Sequence, residues 1–292
     1  MNGILNVLKP AGMSSHNIVA FVRRRLNIKK VGHTGTLDPY AAGVLPICIG
    51  KATKVSNYLL NDRKAYRAEL DLSFSTDTQD AYGEIINRTT EFPDEVQIEE
   101  AIKSFIGNIQ QVPPMYSALK VNGKKLYDLA REGITIERKA RDIVIYNIDI
   151  ISIKNNKIMM DVECSKGTYI RTLCFDIANK LGCHGHMSFL LRTKTGKFEI
   201  STALTLEEIE SLEIKNIPLM KIEDLLDTYP KLVINDSYYS QLTNGVKIPM
   251  SNVLESEIEY KIYCDNKFLG IGSVHEKAKQ YYLKMDKMLV GE

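Results

Sequence analysis

The sequence predicts an α+β fold that carries a small β-rich module at its C-terminal end. Three observations lead there. Tyr66, Ala68, Leu70, Leu72 and Phe74 alternate with Arg67, Glu69, Asp71 and Ser73, the period of a half-buried strand. Two apolar runs, 143–153 and 158–164, flank Asn155-Asn156, a pair that accepts the backbone of a tight hairpin. Helical spacing occurs instead at Ile18, Phe21, Val22 and Leu26, at Ile98, Ala101, Ile102 and Phe105, and at Ile170, Leu173, Cys174, Ile177 and Leu181.

From the N-terminus, Ile4 to Leu8 reads as a strand ended by Lys9-Pro10, and Ser14-Ser15 offers an N-cap for a helix through Leu26. Arg23, Arg24 and Arg25 suit the negative end of that helix. Val44 to Ile49 is a buried strand, and the alternating strand from Tyr66 follows it. Thr76 to Gly83 is a polar turn containing Asp80, the helix around Ile98–Phe105 is stopped by Gly107, and Gln111–Tyr116 is extended by its prolines. After the hairpin, Thr168 is the expected N-cap of a helix ended by Gly182, which puts Arg171 in the first turn. A cation there opposes the helix dipole by about 0.3–1 kcal/mol and calls for an anionic partner. Thr205 to Glu208 forms a capping box, and Tyr229-Pro230 marks a boundary near Thr228. Beyond it, a short helix ending at Asn244-Gly245 and strands near 260–264, 268–274 and 281–285 make up the small module.

At 292 residues, 44% hydrophobic and 25% charged, the chain has ordinary globular composition. It has no apolar run of membrane-spanning length and no signal-peptide core, so a cytoplasmic protein is expected. Five cysteines without framework spacing fit a reducing compartment. Cys164, Cys174, Cys183, His184 and His186 lack a C-x-x-C pair, so no metal site is assigned. The formal net charge is only +2, but residues 1–64 carry a net +8 and residues 69–100 a net −9. Segregation of this kind permits a strongly positive face on a nearly neutral protein, as nucleic-acid binding requires. A second basic stretch, about 120–141, is broken at Asn122-Gly123 and Gly133, carries a net +4, and reads as a flap.

The chemistry is concentrated between Val31 and Lys54. Four glycines and two prolines surround Asp38, the only acid between Met1 and Asn61, and neighbouring cations favour its ionised form. The spacing fits neither a P-loop nor a dinucleotide fingerprint. By residue type alone, Asp38 before Pro39 serves equally well as a turn former.

Gly32-His33-Thr34-Gly35-Thr36-Leu37-Asp38-Pro39, continued by Ala41, Gly43, Leu45, Gly50 and Ala52-Thr53-Lys54, resembles the signature of the TruB family of bacterial tRNA pseudouridine-55 synthases. Lys9-Pro10-Ala11-Gly12-Met13-Ser14-Ser15, Lys64-Ala65-Tyr66-Arg67, Thr76 to Asp80, Val112 to Lys120 and Ser165 to Leu173 follow in family order, so the likeness is strong over residues 1–195 and weaker beyond.

The resemblance implies a pseudouridine synthase fold, with a mixed, mostly antiparallel central sheet flanked by helices and loops in residues 1–228 and a PUA-like β-barrel domain in 229–292. It implies a cofactor-free, metal-independent isomerase acting as a monomer on uridine 55 in the T arm of tRNA, with no membrane partner and with residues 120–141 as an RNA-gripping insertion. One carboxylate suffices for such chemistry, unlike glycoside hydrolysis, which positions two. By likeness Asp38 is the nucleophile, Arg171 its orienting partner, and Tyr66 the residue that packs on the target base and is a candidate proton acceptor. His33 wedges into the T loop, and Tyr169, Lys9, Asp80 and Lys120 are carried over as RNA-contacting residues. Two other classes would use the same basic surface: a non-catalytic RNA-binding protein, which has no need of Asp38, and a guide-RNA-dependent relative, which acts only within a larger complex.

Overall fold

The computed structural model describes residues 1–59, 63–121, 123–250, 258–277 and 280–290, so Asn122 of the expected break lies outside the described residues. In chain order the strands are β1 (Gly3–Lys9), β2 (Val31–His33), β3 (Ala42–Ile49), β4 (Lys64–Asp71), β5 (Phe74–Thr76), β6 (Ile85–Arg88), β7 (Gly107–Gln111), β8 (Lys120–Val121), β9 (Lys124–Lys125), β10 (Arg141–Lys154), β11 (Lys157–Cys164), β12 (His186–Thr195) and β13 (Phe198–Glu199). The C-terminal strands are β14 (Lys231–Ile234), β15 (Ile248–Met250), β16 (Glu259–Cys264), β17 (Lys267–Lys277) and β18 (Gln280–Met288). The α-helices are α1 (Ser15–Leu26), α2 (Glu95–Lys103), α3 (Leu126–Arg131), α4 (Ile170–Lys180), α5 (Leu206–Ser211) and α6 (Tyr239–Thr243).

Among the described residues the main sheet has nine strands, with the path β1-β3-β12-β4-β11-β10-β7 and with β2 and β13 added on β3 and β12. Its pairings are antiparallel except for β3 with β12, where Leu191 and Arg192 lie opposite Ala42 and Gly43. The hairpin between β10 and β11 turns on Asn155 and Asn156, both at positive φ, so residue types that tolerate the left-handed region fix its register.

Helix α1 is capped by Ser14 and buries Ile18, Val19, Val22 and Leu26 against β1 and β3 residues such as Leu5, Leu45 and Ile47. On the other part of the sheet, Ala68, Leu70, Leu72, Met160 and Val162 pack with Ile170, Leu173, Cys174 and Ile177 of α4. The period-2 and period-3.6 patterns are therefore two halves of one core.

Three local expectations are corrected, and the basic stretch gains a described structure. Strand β4 ends at Asp71, whose carboxylate accepts the Ser73 amide in a turn, so Phe74 belongs to a separate strand paired with β6. Helix α2 stops at Lys103 before Gly107 is reached, and Gly107 opens β7. Tyr169, not Thr168, is the N-cap of α4, because the Thr168 hydroxyl donates back to the Ser165 carbonyl. The basic stretch is a small β8–β9 hairpin followed by α3, anchored by buried Leu126 and Leu129.

The C-terminal segment forms a five-stranded sheet in the order β14-β16-β17-β18-β15. It does not stand apart from the rest. Ile271 and Leu289 are buried in one cluster with Ile4, Val44, Cys48, Ala52 and Val55.

Candidate active site

Asp38 sits on the loop between β2 and β3, and the residues on both sides of it are fastened to the N-terminal segment. The Ser15 hydroxyl accepts the Leu37 amide at 2.9 Å and donates to the Leu37 carbonyl at 3.0 Å. After it, the Pro39 carbonyl accepts both the Lys9 ammonium and the Gly12 amide at 2.9 Å. A turn closes with the Ala41 amide on the Asp38 carbonyl at 3.1 Å. The loop fixes the backbone of Asp38 while its side chain stays 39% exposed, open to a reactant.

Arg171, in the first turn of α4, is 133 residues away in sequence and faces that carboxylate. Its Nε lies 2.9 Å from Asp38 Oδ2 and its Nη2 3.5 Å from Oδ1, a two-armed contact. The same guanidinium donates to the Thr78 carbonyl at 3.0 Å and the Tyr116 carbonyl at 2.8 Å. Five hydrogens on a planar fork can serve these acceptors together, which a lysine could not do. Asp80 stands 3.8 Å from Arg171 Nη1 and accepts the Thr78 hydroxyl and the Tyr82 amide, so its carboxylate also orders the 77–82 loop.

Tyr66, at the start of β4, is buried in the core cluster that also holds Leu37, Ala41, Ile170 and Leu190. Burial pushes its hydroxyl up to about 12, against the opposing effect of a hydrogen bond from Arg192. The ring is an apolar wall at the start of β4.

Lys9 is placed otherwise than on an RNA-facing surface. Its side chain is fully buried, and its three ammonium hydrogens go to the carbonyls of Pro10, Met13 and Pro39 at 2.9, 2.6 and 2.9 Å. Burial lowers its pKa from 10.5 to about 8, with Asp38 opposing and Arg192 reinforcing the shift. It is a tie for the loop that carries Asp38. His33 is half-buried, its Nδ1 accepts the Gly35 amide, and burial followed by Arg192 and His16 lowers its pKa, so the imidazole is neutral at pH 7. Tyr169 is clamped through its backbone, with its amide on Gln111 Oε1 at 2.8 Å and its carbonyl accepting Gln111 Nε2 at 3.0 Å. Lys120 lies exposed on the β8–β9 hairpin.

Arg192 is a site residue that the sequence reading did not single out. It is 2% exposed and donates to the Val44 carbonyl at 2.8 Å and to the Gly35 and Thr36 carbonyls at 3.4 and 3.5 Å. It thus braces the loop before Asp38 while contacting Tyr66. The available signal was periodicity: Arg192 follows Leu190 on the inward face of β12, where a cation is out of place unless it has acceptors waiting.

Residues 23–170 match the family model described as TruB family pseudouridylate synthase (N terminal domain), just over half of the chain. This chain belongs to the TruB family. A second model, described as the tRNA pseudouridylate synthase B C-terminal domain, matches residues 171–230, directly before β14. Relatives named tRNA pseudouridine synthase B are similar along their whole length. The protein of Alkaliphilus oremlandii is 51% identical, with 99% of each chain covered, and that of Clostridioides difficile is 48% identical over 99% of this chain and 100% of the relative. Among solved structures, an H/ACA RNP bound to a substrate RNA containing 2′-deoxyuridine has a chain with TM-score 0.72 and 26% identity, covering 99% of this chain and 85% of that one. A Cbf5-Nop10-Gar1 complex gives TM-score 0.72 at 27% identity, again over 99% and 85%. As a TruB-family pseudouridine synthase the chain is an isomerase.

Among the described residues no group of three or more His, Cys, Asp or Glu is arranged to hold a metal, and Cys164, Cys174 and Cys183 are buried thiols. No helix of the described TruB chain is long and apolar enough to cross a membrane.

Proposed function

We propose that this TruB-family chain isomerises uridine 55 in the T loop of tRNA to pseudouridine, with Asp38 as the nucleophile. The observation that carries this reading is the 2.9 Å pairing of half-exposed Asp38 with buried Arg171. A carboxylate oriented by a fork that is itself anchored on two carbonyls is prepared for attack at an electrophilic carbon. The full-length relatives named tRNA pseudouridine synthase B support tRNA as the RNA class.

The reaction breaks the bond between uracil N1 and the ribose, turns the base, and joins the ribose to C5; C5 gives up its proton and N1 takes one up, so the product is an isomer of the substrate. Asp38 assists departure of the base either by adding to the sugar or by promoting an elimination. Arg171 holds it through both halves. Tyr66 supplies a wall for the base, and His33, neutral and next to the loop, wedges into the T loop as the target leaves its stack, a step that costs a few kcal/mol. The exposed Lys120 and its basic stretch grip phosphate. Residues 1–228 then carry the chemistry, and 229–292 extend the RNA footprint.

The solved neighbours include chains of an H/ACA RNP and of an archaeal box H/ACA sRNP Nop10-Cbf5 complex, which favours a second reading in which this chain needs a guide RNA. Incubating the purified chain with an unmodified tRNA transcript and sequencing for pseudouridine separates the two readings. Modification at position 55 without added RNA or protein supports the first; its absence, with recovery on adding a guide particle, supports the second.

A further inference from the structure

Two tyrosines beside the Asp38–Arg171 pair have no part in the account so far. Tyr40 and Tyr82 are stacked with ring centroids 3.6 Å apart and planes within 12° of parallel. Each nevertheless remains more than half exposed, at 53% and 59%. Burial would stabilise such rings, so a flat aromatic stack left in water is an unfilled contact surface.

Its position is set by the same groups that set the catalytic carboxylate. Tyr40 lies in the turn closed by the Ala41 amide on the Asp38 carbonyl. Tyr82 is held by its amide on Asp80 Oδ1 at 3.0 Å, and the other oxygen of Asp80 faces Arg171. The two loops that bring carboxylates to one guanidinium therefore meet again at their outer ends through their rings. Tyr40 is two residues from Asp38, a span of at most about 7 Å. A strand whose target nucleotide reaches Asp38 brings its adjoining nucleotide within reach of the stack.

We infer that the Tyr40–Tyr82 stack is a platform for an unpaired base next to the target nucleotide. This rests on the RNA reading above. A base is the occupant that matches, because it offers a flat π face to the outer side of a ring while its edge stays wet, and such stacking tolerates any sequence. A peptide would instead look for an apolar groove, whereas here Tyr40 and Tyr82 flank two carboxylates and a guanidinium.

The test uses the full-length chain carrying Asp38→Asn, to prevent turnover, and T-arm stem-loops with 2-aminopurine placed 5′ or 3′ of the target uridine. Binding is expected to quench fluorescence at one of the two positions. Tyr40→Ala and Tyr82→Ala should each remove that quench and raise Kd by about 5- to 100-fold, and Tyr40→Phe and Tyr82→Phe should restore both. Quench and Kd unchanged in the alanine variants would overturn the inference, as would a lowered melting temperature with the quench intact, the mark of a latch between loops. Unlabelled RNA with the unaltered chain runs alongside. Normal modification without a quench at either position would overturn this inference alone, and failure to bind or modify would overturn the RNA reading together with it.

Discussion

Arg171 Nε lies 2.9 Å from Asp38 Oδ2, across 133 residues of sequence, and the guanidinium that makes this contact is 6% exposed while the carboxylate is 39% exposed. The cation is therefore fixed and the anion is presented. Replacing Arg171 by Met should lower the single-turnover rate by about 10²-fold or more through loss of orientation, with RNA affinity changed only a few-fold. Lys at this position should recover little, since one ammonium cannot replace a fork that serves Asp38, Thr78 and Tyr116 together. Rapid-quench kinetics at saturating RNA measures this, and an unchanged rate in the Met variant would show that the pairing is idle.

Lys9 predicts a pH dependence. As pH rises through about 8 the buried ammonium loses a proton, leaving two hydrogens for three carbonyls, one of them Pro39 beside Asp38. The single-turnover rate should fall on that limb. Stability should move the other way. Between about 8 and the unfolded value of 10.5 the folded chain binds fewer protons at Lys9 than the unfolded chain, so this group's contribution to stability rises with pH. A rate that stays flat from about pH 7 to about pH 9.5 would exclude Lys9 as a titrating tie.

Where sequence reading succeeded and where it stopped can be seen in single residues. Arg171 was legible because a cation in the first turn of a helix is misplaced unless an anion meets it. That the anion is Asp38 came from family likeness, since no local pattern joins residues 133 apart. The strands around Tyr66 and the Asn155-Asn156 hairpin were legible from period and turn chemistry. Family likeness alone makes Lys9 an RNA contact, and only the folded loop shows it buried with three carbonyls converging on it. Thr168 had the right side chain for an N-cap, but tertiary structure gave the position to Tyr169, whose backbone is clamped by Gln111.

Gly43 links the signature to the fold. A Cβ there would lie 2.2 Å from the Arg192 carbonyl oxygen, and its φ of +122° is disfavoured for other residues. Gly43→Ala must push β3 away from β12, and with it the carbonyls that Arg192 braces. The expected outcome is a loss of at least about 1–3 kcal/mol of stability, together with reduced turnover, read by denaturant unfolding and single-turnover assay. A stable, fully active variant would refute the close-approach argument.

The C-terminal sheet covers the core as well as offering surface. Ile271 is fully buried against a cluster that includes Ile4 and Val44, and the Tyr58 hydroxyl donates to Glu259 at 2.6 Å. Ile271→Ala should cost about 2–5 kcal/mol and lower the unfolding midpoint of the whole chain in one transition. A chain ending at Thr228 should melt earlier yet still modify a T-arm stem-loop in the cold, because Asp38, Tyr66 and Arg171 all precede the cut. A folded truncation with no such activity would mean that residues 229–292 help build the site.

The central claim is that Asp38 performs the chemistry, and Asp38→Asn tests it most directly because the amide keeps the shape and loses the nucleophile. The measurement is pseudouridine formed at each position of a tRNA transcript, with Kd determined in parallel for both proteins. The account predicts complete conversion at position 55 by the unaltered chain, none by Asp38→Asn, and affinities within a few-fold of each other. Pseudouridine formed by the Asp38→Asn protein at a rate near that of the unaltered chain would contradict it.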